Sequence, residues 1–209
     1  MSEEFKLDSN TKEYELGSKI NGQIVATTAF LNDAWRNQMI TLNLPNLVFN
    51  KLWLETAYFG SYILQKKFSE PLEKEKSKLL NQYMRYGFLL LVPTIFGEKL
   101  GDSELKKFVS EQYDDRLEKY RNFNGVDTRT LFCDLVKNVF NSTENCKIKF
   151  IDNTFGNRLK LKTALILGAI GGNKEFVDKH KDEVFLSDKD LLKLADNATQ
   201  AFMNVNLDA

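Results

Sequence analysis

Four carboxylates flank the positions where this chain could do chemistry. Asp114-Asp115-Arg116-Leu117-Glu118 sets Asp114 and Glu118 four residues apart, one turn along a helix face, and Asp178 and Asp182 repeat that spacing on either side of His180. Carboxylate oxygens are hard ligands, and two facing acidic pairs can hold Mg²⁺ and, through it, the phosphates of a small molecule. Asp114, Glu118, Asp178 and Asp182 are therefore the catalytic candidates, for a Mg-dependent helical enzyme acting on a phosphorylated small molecule. The competing reading is a solvated polar face, because Tyr113, Leu117 and Tyr120 already mark the buried side of the same helix. That simpler reading is preferred, so no metal site and no cofactor is predicted.

The acidic spacing resembles, in its first half, the aspartate-rich motifs of helical prenyl-transferring enzymes; the second motif is incomplete and the chain is short for that class. Glu70 and Glu73 with Glu98 and Asp102 resemble the carboxylate arrangement of helical nucleotide pyrophosphatases, but Pro93, Gly97 and Gly101 interrupt the helix such ligands need. Di-iron carboxylate sites need two histidines and His180 is the only one. A Cys–His pair would require His180 to reach Cys133 or Cys146, and Cys133 sits in an apolar run that reads as core. Gly168-Ala169-Ile170-Gly171-Gly172 lacks the G-x-G-x-x-G spacing and the surrounding βαβ alternation of a dinucleotide turn, so it reads as a helix C-cap. Trp53, Tyr58 and Tyr62 are ligand-binding candidates, as the wall of a small-molecule pocket; on a helix apolar all round, aromatic rings are more often core.

Composition narrows the classes further. The 209 residues suit one domain and can bury roughly 70% of their unfolded surface without staples. Hydrophobic residues make up 43% and charged residues 28%, which separates the chain from disordered sequences. Twenty-nine basic residues balance 29 acidic ones, whereas phosphate-backbone binding favours a basic excess; nucleic acid is not the expected partner. A local patch of Lys147, Lys149, Arg158, Lys160 and Lys162 reads as the solvated flank of an apolar helix. The opening Met1-Ser2-Glu3-Glu4-Phe5-Lys6 is acidic and polar, and the longest apolar stretch, Gly87 to Gly97, falls short of the ~20 residues a bilayer span needs. The expected location is cytoplasmic, with no membrane partner.

The elements that must position these residues are helices. Residues 1–19 read as a flexible N-terminal arm and 20–209 as a single helical domain. Asn21-Gly22 is a hairpin signal in competition with a helix start, and the apolar spacing from Ile24 to Ile40 favours helix. The segment from about 47 to 68 is apolar on every side and becomes the central buried helix. Ser69 and Pro71 suggest the next helix start, Asp102-Ser103 opens an amphipathic helix, and Leu131 to Phe140 and Leu159 to Ile170 follow. Ser187-Asp188-Lys189-Asp190 is a capping box with Asp at its last position. Lys147 to Ile151 alternates like a strand, with the Asn21-Gly22 region as its available partner. The predicted fold is all-α: a compact bundle of about six to eight helices with room for one minor strand pair. The absence of a catalytic constellation makes a non-catalytic interaction module, such as an adaptor, inhibitor or regulatory or immunity-type protein, the leading expectation, with another protein as partner and homo-oligomerisation allowed. Such a module should expose an apolar patch of several hundred Å².

Overall fold

The computed structural model describes residues 8–39, 46–95, 103–123, 127–141, 148–150, 154–180 and 184–207. Among them are α1 (Lys12–Met39), α2 (Asn46–Phe68), α3 (Lys74–Ile95), α4 (Ser103–Arg121), α5 (Thr128–Asn141), β1 (Ile148–Phe150), α6 (Thr154–Ile170), α7 (Lys174–His180), β2 (Val184–Leu186) and α8 (Asp188–Met203). The fold is all-α with one minor strand pair. No helix among the described residues is long and apolar enough to cross a membrane.

Contacts gather the chain into two units. One comprises Met1–Phe30, Thr56–Asn124 and Ala198–Ala209; the other comprises Leu31–Glu55 and Gly125–Asn197. Three of the four crossing points fall inside α1, α2 and α8. A helix passes such a point without proline, glycine or serine, which is why the chain reads as one domain over 20–209 with no linker.

In the first unit, α1 starts at Lys12, within the stretch expected to be a loose arm. Thr11 caps it, its Oγ1 accepting from the Tyr14 amide at 3.1 Å. The Tyr83 hydroxyl donates to the Asp8 carbonyl at 3.0 Å and fastens the chain just ahead of that cap. The buried face of α1 in this unit is Gly17, Ile20, Asn21, Ile24 and Thr28, recurring at helical spacing. Two of those five are polar and one is glycine, so the stripe was invisible to an apolar count. The hairpin reading of Asn21-Gly22 is thereby replaced by mid-helix. Glycines set the crossing of α1 and α3: a Cβ on Gly17 would lie 2.8 Å from Tyr83 Cβ, and one on Gly87 2.2 Å from Asn21 Nδ2.

The α2 residues of this unit, Thr56 to Gln65, are all buried, as expected of a helix apolar on every side. Their rings build an aromatic core: Tyr58 stacks on Phe88 at 5.4 Å, Phe88 meets Tyr113 at 4.7 Å, and Phe59 meets Tyr120 at 5.4 Å. Ser69 to Glu73 form turns, so α3 begins at Lys74, later than the Ser69–Pro71 signal suggested. Lys67 Nζ donates to the carbonyls of Met203 at 2.6 Å and Val205 at 2.7 Å, satisfying acceptors at the C-terminal end of α8.

The second unit packs Leu31, Trp35, Leu52, Trp53, Phe132, Val136, Phe140, Leu191 and Leu194 as its core. β1 pairs in parallel with β2, Ile148 opposite Val184 and Phe150 opposite Leu186. The strand therefore finds its partner beyond α6 and α7, which supply the crossover a parallel pair requires, and not in the Asn21-Gly22 region. Ser187 and Asp190 form the expected reciprocal cap: Ser187 Oγ accepts from the Asp190 amide at 3.2 Å while Asp190 Oδ2 accepts from the Ser187 amide at 2.8 Å. Gly171 and Gly172 end α6 in a Schellman motif, with Gly172 at φ 73° and the Asn173 amide donating to Gly168 O at 2.8 Å.

Candidate functional site

The first unit holds a cleft of about 800 Å³ between the C-terminal end of α2, the first half of α3 and the second half of α4. Helical spacing explains its walls. On α3, Lys74, Ser77, Lys78, Asn81, Gln82 and Arg85 recur every three or four residues and form one polar face; on α4, Asp114, Glu118 and Arg121 do the same, with Asn122 just past its end, above a floor of Tyr113 and Leu117. Facing helices ordinarily interdigitate apolar side chains at 8–10 Å. Two polar rows facing each other cannot close in that way, and a cleft results.

Two charge-assisted contacts organise the space. Arg85 forks onto Asp114, Nε to Oδ1 at 2.7 Å and the terminal nitrogen to Oδ2 at 2.6 Å, and the same guanidinium donates to Ser110 Oγ. That carboxylate keeps the Arg85 pKa above its usual value. Arg121 donates to Gln65 Oε1 at 2.5 Å, and Gln65 Nε2 donates to the Tyr113 hydroxyl at 3.3 Å. Burial pushes the Tyr113 hydroxyl pKa well up, so it stays a neutral hydrogen-bonding group at physiological pH. Lys66 lies over the Tyr62 ring at 5.6 Å, and that ring stacks on Tyr120 at 5.2 Å. Asn81 Oδ1 is buried and accepts no hydrogen bond.

Three of the seven candidate site residues meet here: Tyr62, Asp114 and Glu118 all line the cleft. Their chemistry differs from the expectation. Both oxygens of Asp114 are engaged by Arg85, which leaves little of that carboxylate for a metal. Glu118 accepts from Asn122 Nδ2 at 3.5 Å. Asp178 is exposed on α7 in the second unit, and Asp182 lies outside the described residues. No group of three or more metal-ligating side chains occurs among the described residues. Tyr58 is 1% exposed and Trp53 5% exposed, so both are buried, while Tyr62 lines the cleft. The Cys133 thiol is buried, which pushes its pKa up to about 11 and keeps it protonated at neutral pH. Arg85, Arg121 and Gln65 were not foreseen. The available signal was the polar recurrence from Lys74 to Arg85, which reads equally well as a solvated face.

The second unit presents a different surface. In α6, Leu161, Ala164, Leu165 and Gly168 are half-buried, and a Cβ on Gly168 would stand 3.2 Å from the Phe176 ring of α7. Away from that side, Leu159 is 58% exposed, Ile166 59%, Leu167 64% and Ile170 79%. Leu159, Ile166 and Ile170 sit at i, i+7 and i+11, the spacing of a single face, and Leu167 adjoins it. Lys160 and Lys162 of the anticipated basic patch are exposed on the same helix; the side chains of Lys147, Lys149 and Arg158 lie outside the described residues. The chain matches no family model, no curated protein and no solved structure.

Proposed function

We propose that this protein is a non-catalytic interaction module that docks another protein on the exposed side of α6. One observation carries the reading: four aliphatic side chains, Leu159, Ile166, Leu167 and Ile170, stand more than half exposed along one helix. Apolar surface left in water forgoes about 25 cal/mol per Å², and a contiguous patch of such residues marks an interaction site. The same four side chains would supply the desolvated centre of an interface, with Lys160 and Lys162 in its polar rim. A complementary partner offers an apolar groove edged by carboxylates. A second copy of this chain would bring lysines against lysines across a two-fold axis, which disfavours α6 pairing with itself.

The test uses the full chain and an Ile166→Asp/Ile170→Asp variant, each tagged and recovered gently from its source cells. Native mass spectrometry should find a stoichiometric protein partner on the parent chain and lose it on the variant, while both unfold at the same temperature. A partner retained by the variant, or none on either form, removes the reading. A lower melting temperature in the variant would place these residues in the core instead.

A further inference from the structure

We infer that the cleft between α2, α3 and α4 binds a small phosphorylated molecule carrying hydroxyl groups. The inference goes beyond the docking surface and involves a different unit. Charge comes first. Five cations line the cleft against three carboxylates, in a chain whose total charge is zero. Arg85 is already spent on Asp114. Lys66 rests on a tyrosine ring, Arg121 donates to a neutral amide, and Lys74 and Lys78 have no carboxylate partner among the described residues. The surplus is two positive charges, which a phosphate monoester balances, since it carries close to two negative charges at neutral pH. Arg121 uses one of its five N–H groups on Gln65 and keeps the rest of its planar fork for phosphate oxygens.

The second observation is independent of charge. Ser77, Gln82 and Asn122 line the same cleft with hydroxyl and amide groups. Such groups exchange hydrogen bonds with a ligand's hydroxyls as well as with its anionic oxygens. A bare anion offers only the latter; a sugar phosphate supplies both the dianion and the hydroxyls. The volume of about 800 Å³ falls within the range of small-molecule sites and far exceeds inorganic phosphate.

The test is calorimetric titration of the full chain at low ionic strength with ribose 5-phosphate, ribose, inorganic phosphate and succinate. Ribose 5-phosphate should bind saturably at one site, inorganic phosphate more weakly, and ribose not at all. Lys78→Ala and Arg121→Ala should each weaken ribose 5-phosphate by about tenfold or more, the usual effect of deleting one charge-assisted hydrogen bond. Lys162→Ala removes an equal charge from α6 and should leave binding unchanged. Absence of saturable binding overturns the inference. So does equal weakening by Lys162→Ala, which would mean diffuse electrostatics, or equally tight binding of succinate, which would mean a carboxylate site.

Discussion

α2 and α6 are both rich in apolar residues on every side, yet they end in opposite circumstances. From Thr56 to Gln65, every residue of α2 is buried, while α6 leaves four aliphatic side chains in water. What differs is the size of what packs on them. The buried stretch of α2 meets the rings of Phe88, Tyr113, Tyr120 and Phe202, carried by three other helices. α6 has 17 residues, about 25 Å at helical rise, whereas α7 has seven residues and β2 three. Elements that short cover one side of α6 and no more. Apolar character in a helix is thus a demand for cover, and which elements meet it decides whether the helix becomes core or an interaction surface.

The sharpest way to break the comparison is to truncate one side chain in each helix. Phe59→Ala should cost about 3–5 kcal/mol in urea unfolding, because its ring is fully buried against Tyr120. Ile170→Ala should change stability by less than about 0.5 kcal/mol. Similar costs at the two positions would mean that α6 is covered in solution. Glycines sharpen the contrast. A Cβ at Gly60 would stand 2.2 Å from the Phe202 ring, so Gly60→Ala should overpack the core and cost about 1–3 kcal/mol. At Gly168 the nearest atom is 3.2 Å away on a half-buried ring, and the better helix propensity of alanine should bring the net change near zero. Lys67→Met, read by thermal melting, should lose about 1 kcal/mol as two carbonyls at the end of α8 lose their donor.

The smallest effect is a control that touches neither apolar helix. Arg129 holds the Asp127 carboxyl below its usual pKa of 3.8, so the folded state favours the ionised form. The stability this contributes is present above the unfolded pKa and is lost as pH falls through the lower, folded value. Asp127→Asn should flatten the acid limb of the stability curve below about pH 4, with the slope near pH 7 unchanged. The effect should add to that of Ile170→Ala, since the Asp127 carboxylate is held by Arg129 and the Ile170 side chain is 79% exposed.

The helices were legible wherever burial and apolar spacing coincide. The central helix around 47–68, the stripe of Tyr113, Leu117 and Tyr120, the Ser187 cap and the Gly171-Gly172 stop all follow from local rules that tertiary context did not override. The start of α1 was hidden because Asn21 and Thr28 occupy buried positions that an apolar count skips, and because Phe30, which looks like core, is 71% exposed. The partner of β1 was hidden because strand pairing is non-local. For the candidate site, spacing placed Asp114 and Glu118 on one helix face. It could not show Arg85 arriving from 29 positions earlier to occupy Asp114, nor that the polar row from Lys74 to Arg85 faces another helix across a cleft. The exposed side of α6 was illegible for the complementary reason: periodicity reports that a face is apolar, not whether anything is large enough to cover it.

The placement of Asn21-Gly22 inside α1 has a consequence on the timescale of protein ageing. In an open chain this dipeptide is prone to cyclise, the glycine nitrogen attacking the asparagine side chain to give a succinimide and then aspartate or isoaspartate. Here Asn21 is 2% exposed, its amide donates to the Tyr83 carbonyl and is pressed against Gly87, while the glycine nitrogen belongs to a continuous helix. Attack requires both restraints to be released together. A gain of one mass unit at this position in stored protein is therefore a cumulative record of how often α1 has come away from α3, legible long after each opening has closed.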